Sequence, residues 1–103
     1  MTRGIARFSD RTFGTCKHPS HNKPIEIAGT IITGSPSVTV DKLASARIGD
    51  MVITDCGHID QIISGSASVL AGNIGVARVG DKTGGRGIYN AIIITGSPSS
   101  TTP

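Results

Sequence analysis

The side chains best suited to chemistry fall into two short groups. Cys16, His18 and His21 form a Cys-x-His-x-x-His cluster, and Cys56 and His58 form a Cys-x-His cluster. Together they are every cysteine and every histidine in the chain. Thiolate and imidazole are the donors that zinc takes in a closed, four-coordinate structural site. Five donors then compete for four places. Two other readings use the same residues. One is a Cys16–Cys56 disulfide, which a cytoplasmic chain rarely keeps. The other is a set of unrelated exposed histidines beside two buried thiols. A hydrolytic site would need an open coordination position and a nearby general base, and Asp55 and Asp60 are the only close carboxylates. The abundance of soft donors favours a closed, structural site.

Other constellations read as structural. Arg47 with Asp50 and Arg78 with Asp81 could be acid–base pairs, but the carboxylates are better employed on turn amides or on the arginines. Gly84-Gly85-Arg86-Gly87 could cradle a phosphate, yet it lacks the Lys-Ser/Thr of a P-loop and the strand–loop–helix setting. Ser35, Ser66 and Ser97 occupy turns.

The elements that position these groups are set by an internal repeat, which decides the fold before any local reading does. Ile31-Ile32-Thr33-Gly34-Ser35-Pro36-Ser37-Val38 recurs 31 residues later as Ile62-Ile63-Ser64-Gly65-Ser66-Ala67-Ser68-Val69. It recurs again, after the same interval, as Ile93-Ile94-Thr95-Gly96-Ser97-Pro98-Ser99. Ala46-Arg47-Ile48-Gly49-Asp50 matches Ala77-Arg78-Val79-Gly80-Asp81, and Ala6-Arg7-Phe8-Ser9-Asp10 is a third copy with Ser for Gly. Two whole units and two halves therefore make a three-fold pattern wrapped around the termini. Within a unit, Val38-Thr39-Val40 and Val69-Leu70-Ala71 read as short strands. Asp41-Lys42 and Gly72-Asn73 sit where a two-residue hairpin turn with positive φ belongs. The chain returns through 43–48 and 74–79. No segment carries helical periodicity, so the class is all-β.

The connections from each Asp to the next Ile-Ile read as loops. Those after Asp50 and Asp81 are equal in length, and the one after Asp10 is longer. The first holds Cys16, His18 and His21, and the second holds Cys56 and His58. The repeat brings both to the same end of the molecule.

At 103 residues, with 3% aromatic residues and no Trp, the core rests on Ile and Val. So small a core commonly needs a staple. No apolar stretch reaches membrane-spanning length, and the N-terminus lacks a signal peptide's apolar run, so synthesis in a cytoplasm is expected. The net charge is +3, but the basic residues form no continuous stripe and no aromatic stacking platform accompanies them. A zinc-stapled nucleic-acid-binding module and a small zinc-dependent hydrolase are the alternatives to a structural role.

Ser45-Ala46-Arg47-Ile48-Gly49-Asp50, Gly75-Val76-Ala77-Arg78-Val79-Gly80-Asp81 and the Gly-Ser-Pro-Ser-Val of 34–38 resemble the PAAR-repeat family, named for Pro-Ala-Ala-Arg. The resemblance runs over roughly residues 5–99. It implies a small conical PAAR-repeat fold with pseudo-three-fold symmetry, short β-hairpins and a metal-stapled apex. It implies a non-enzymatic, membrane-piercing tip of a phage tail or a type VI secretion spike. One copy would cap each trimeric β-helical spike and touch the target cell envelope transiently, with no nucleic acid and no small-molecule substrate as partner. The family's usual metal is zinc, with iron a possibility, held by three His and one Cys. Carried onto this chain, that set is His18, His21, His58 and Cys56, with Cys16 in reserve. The expected base contacts are Ile32, Ile63 and Ile94. The family's central Pro is absent here. The domain is expected to span 1–99, with 100–103 as a short polar tail and no fused toxin.

Overall fold

The computed structural model describes residues 3–17, 23–84 and 89–102. Those residues are all strand, turn and loop, in a body with principal extents of 39 × 27 × 21 Å. Six strands close into an antiparallel barrel: β2 (Arg11–Cys16), β3 (Ile25–Ile31), β6 (Met51–Thr54), β7 (Ile59–Ile62), β10 (Lys82–Gly84) and β11 (Tyr89–Ile93). Their order around the barrel is β10-β11-β2-β3-β6-β7, so three consecutive hairpins stand side by side.

These barrel hairpins occupy the three connections expected to be loops, which corrects that expectation. The first connection is the longest ladder of the fold among the described residues: β2 and β3 pair over six residues, from Arg11↔Thr30 to Cys16↔Ile25. The signal was alternation. Inward and outward residues alternate along β7 and β11, as a strand with one buried face requires. The inward set mixes Ile and Val with Thr12, Thr54, Asp60 and Thr83, all buried. The outward set includes exposed Phe13, Met51, Ile59 and Ile92. The apolar-in, polar-out pattern that marks a strand in sequence is therefore blurred.

Beyond one end of the barrel lie three two-stranded hairpins. β4 (Thr39–Val40) pairs with β5 (Leu43–Ala44), and β8 (Leu70–Ala71) pairs with β9 (Ile74–Gly75). Their turns have positive φ at both central residues: Asp41 +53° and Lys42 +69°, Gly72 +63° and Asn73 +67°. This is the two-residue geometry that matches strand twist. The third hairpin is assembled from the two ends of the chain, with β1 (Arg3–Gly4) pairing with β12 (Thr101–Thr102) through Arg3↔Thr102 and Gly4↔Thr101. Thr101–Thr102, expected as polar tail, is thus the third copy of Thr39–Val40 and Leu70–Ala71, and Thr102 is buried.

The three units meet on an axis. The Ala6 amide donates to the Ala77 carbonyl at 2.9 Å, Ala77 to Ala46 at 2.9 Å, and Ala46 to Ala6 at 3.0 Å, closing a ring. All three alanines are fully buried. Three chain segments can pass this close only with small side chains, which explains the alanine in every repeat. Above the ring, Ile31, Ile62 and Ile93 fill the barrel floor and are likewise buried.

Candidate metal centre

Each Arg-x-x-Asp segment is a self-contained clamp. Asp10, Asp50 and Asp81 accept from the backbone amide of Arg7, Arg47 and Arg78 at 2.7–2.8 Å, and from the same residues' guanidinium groups. The second carboxylate oxygen accepts a hydroxyl from the neighbouring unit: Thr95 for Asp10, Thr33 for Asp50 and Ser64 for Asp81, at 2.8–3.1 Å. These pairs are structural, as the sequence suggested. Burial works to raise the Asp81 carboxyl, but Arg78 and Ser64 outweigh it and hold it below its ordinary range. The clamps lie in the hairpin layer, fixing where each barrel strand begins. Ser35, Ser66 and Ser97 each cap a turn, accepting two backbone amides at 2.8–3.2 Å.

At the far end of the barrel the strands deliver the soft donors. Cys16 is the last residue of β2 and is fully buried. Its register partners are Ile25 on β3 and Tyr89 on β11. Tyr89 is itself buried, with its hydroxyl 3.0 Å from both Thr12 Oγ1 and the Ile27 carbonyl. Burial raises the Tyr89 phenol above its ordinary range. Tyr89 therefore anchors the strand end that carries Cys16.

Cys56 and His58 lie in the tight β6–β7 turn, which Thr54 organises. The Thr54 amide donates to the His58 carbonyl at 2.8 Å, and the Thr54 hydroxyl accepts the His58 amide at 2.9 Å. Its carbonyl accepts the Gly57 amide at 2.9 Å, and its hydroxyl lies 3.2 Å from Cys56 Sγ. Gly57 has φ +93°, a conformation that glycine adopts without strain. The turn is tied to its neighbours by the Asp55 amide on the Ala28 carbonyl at 2.9 Å and by an Arg11–Asp55 ion pair at 3.0 Å.

Among the described residues the result is a three-residue donor group. The ligand atoms of Cys16, Cys56 and His58 all lie within 4.8 Å of one another. A tetrahedral zinc with sulfur at about 2.3 Å and nitrogen at about 2.0 Å needs donor separations of about 3.5–3.8 Å. The donor set fits a soft or borderline cation. Cys56 and Cys16, weighed as alternatives from sequence, are both in the group. His18 and His21 lie outside the described residues. Thr54 and Tyr89, which position the donors, were not singled out from sequence. Only the position of Thr54 two residues before Cys56 marked it.

The expected contacts Ile32, Ile63 and Ile94 sit just past the ends of β3, β7 and β11. Their amides donate to the carbonyls of Met51, Lys82 and Arg11, the first residues of β6, β10 and β2. They ring the collar between barrel and hairpin layer. Ile63 and Ile94 are 44% and 46% exposed, and Ile32 is partly covered. Ile63 also lines a shallow cavity of about 360 Å³ on the barrel wall, with Phe13, Lys82 and Ile92.

The PAAR motif family model matches residues 21–85, more than half of the chain. This protein belongs to the PAAR family. The match takes in Ala46 and Ala77 of the axial ring, two of the three Arg–Asp clamps, and Cys56 and His58. A search of curated proteins gives no match. As a PAAR protein the chain is associated with the spike tips of contractile injection systems and with a spike partner. In this PAAR protein no helix among the described residues is long and apolar enough to cross a membrane.

Proposed function

We propose that this protein is the non-enzymatic tip of a phage tail or type VI secretion spike, capping the end of a trimeric β-helical spike with one copy per trimer. One observation carries the reading: a single chain builds three equivalent hairpin units around an axis that the Ala6, Ala46 and Ala77 ring closes. A monomer with three near-equivalent faces presents the same surface to each chain of a trimer. The hairpin layer bears exposed Leu70 and Ile74, and the collar bears Ile63 and Ile94. Apolar surface of this kind usually marks an interface. Ile32, Ile63 and Ile94 form the collar contact, and the opposite end faces the target envelope.

Cys16, Cys56 and His58 would hold a metal at that opposite end, with His18 or His21 as the fourth ligand. Zinc suits two sulfurs and imidazole nitrogen, and iron is the second choice. The metal would supply cross-linking, joining β2 to the β6–β7 turn. The hydrolase alternative is disfavoured because Asp55 is held by Arg11 and Asp60 is buried inside the barrel. The tip is made in the cytoplasm and acts as part of the virion or secreted spike.

The test replaces Ile32, Ile63 and Ile94 together with Asp. The variant should remain folded by circular dichroism and lose co-purification with its β-helical spike. A folded variant that still binds contradicts the proposed contact.

A further inference from the structure

The two cysteines differ in access in a way that metal binding does not require. Cys56 lies on an exposed turn with its sulfur partly covered by the Thr54 hydroxyl, while Cys16 is fully buried at the end of β2. Their sulfurs nevertheless lie within 4.8 Å of each other. Forty positions of sequence separate them, so a bond between them would tie two barrel hairpins together. Cys56 lies outside the β-ladders, in the 55–58 turn, so its side chain can swing without breaking strand pairing.

We propose that Cys16 and Cys56 form an ordered thiol–disulfide pair, with Cys56 the attacking and Cys16 the resolving residue. When the metal is lost, a disulfide takes its place. This rests on the metal reading only for what the disulfide replaces; the thiol chemistry stands on the two sulfurs alone. The co-reactant is a small-molecule disulfide, as met in an oxidising compartment. In the first step the Cys56 sulfur attacks one sulfur of the small disulfide. The Cys56–sulfur bond forms, the small disulfide bond breaks, and one small thiol leaves with the Cys56 proton. In the second step the Cys16 sulfur attacks Cys56 Sγ. The Cys16–Cys56 bond forms and the second small thiol leaves with the Cys16 proton. The protein has lost two electrons and two protons, and the co-reactant has gained them. Burial keeps Cys16 from meeting the co-reactant first, and proximity lets it resolve the adduct within the same molecule.

The experiment treats purified, chelator-stripped full chain with oxidised glutathione and follows intact mass. The wild-type protein should end lower by two hydrogens, with both thiols consumed and no dimer on a non-reducing gel. Cys16→Ser should stop at a single glutathione adduct on Cys56, and Cys56→Ser should stay unmodified. Zinc added beforehand should slow wild-type oxidation at least several-fold. The proposal is overturned if wild-type protein keeps both thiols, stops at the mixed adduct or cross-links between chains. The wild-type result is decisive even if Cys16→Ser fails to fold. Metal content, measured separately on untreated protein, tests the metal reading independently: zinc bound without disulfide formation defeats only this proposal, and disulfide formation by a chain that binds no metal defeats only the other.

Discussion

Asp81 is buried yet accepts four hydrogen bonds: from the Arg78 amide at 2.7 Å, the Arg78 guanidinium at 2.9 and 3.0 Å, and the Ser64 hydroxyl at 3.1 Å. Removing its charge leaves Arg78 facing a neutral amide in a largely covered site. Asp81→Asn is therefore expected to cost about 2–4 kcal/mol, read as a fall in melting temperature of roughly 10–20 °C. The same carboxylate gives an acid limit. Its folded pKa lies below the ordinary Asp value, so its contribution is complete above the unfolded value of about 3.9. As pH falls past that value the unfolded chain takes up the proton first, and stability drops until the folded group is protonated too. Asp41, held down by Ser97 and by Arg7, acts in the same direction. Urea melts of chelator-treated protein between pH 6 and pH 3 should show stability flat above about pH 5 and falling below about pH 4. A fall confined to higher pH would contradict the assignment. At the other end of the barrel, Cys56→Ser and His58→Ala should each remove the stabilisation that the proposed metal would give the wild type, measured as the chelator-sensitive part of the thermal melt. Variants that keep that part in full would exclude these residues as ligands.

At the scale of the elements, close packing and backbone conformation make different demands on glycine. A Cβ on Gly14 would fall on the Asn90 carbonyl oxygen and on Ala91, the facing backbone of β11. A Cβ on Gly49 meets nothing within 4 Å, but φ there is +92°. Gly14→Ala must push two barrel strands apart, whereas Gly49→Ala pays only local strain of about 1 kcal/mol. Thermal melts should rank Gly14→Ala well below Gly49→Ala; the reverse order would contradict the β2–β11 packing. These elements were unequally legible in the sequence. The 31-residue repeat pointed to the three small hairpins because Asp41-Lys42 and Gly72-Asn73 are turn residues between short β-branched runs. The barrel strands look like loops in the sequence because Thr12, Thr54, Asp60 and Thr83 point inward while Phe13, Ile59 and Ile92 point out. Of the candidate metal site, the donor types were visible from the outset. That the two donor loops share one end followed from the repeat, and the structure agrees; which donors meet did not, since it depends on the register of the β2–β3 and β3–β6 ladders between Cys16 and Cys56. A choice between the two cysteines had no basis in spacing, and the structure brings both into the group.

At the scale of the whole molecule, one chain imitates a trimer. The Ala ring, the three clamps and the buried Ile31, Ile62 and Ile93 repeat around one axis. Symmetry fails in two places. One is the hairpin layer, where β1 and β12 come from opposite ends of the chain and Arg3 stands where Leu43 and Ile74 stand in the other units. The other is the far end of the barrel, where two of the three barrel hairpins supply the Cys and His of the candidate metal site. On the hairpin side the three-fold backbone pairing is kept although Arg3 replaces an apolar side chain, whereas at the opposite end the connections themselves are unequal; the proposed docking of a symmetric trimer uses the more regular side. The most direct measurement is the intact mass of the complex formed when this chain is co-expressed with its β-helical spike, taken under non-denaturing conditions. The expected result is three spike chains with one copy of this protein. One copy per spike chain, or a self-associated trimer of this protein on the spike, would contradict the account.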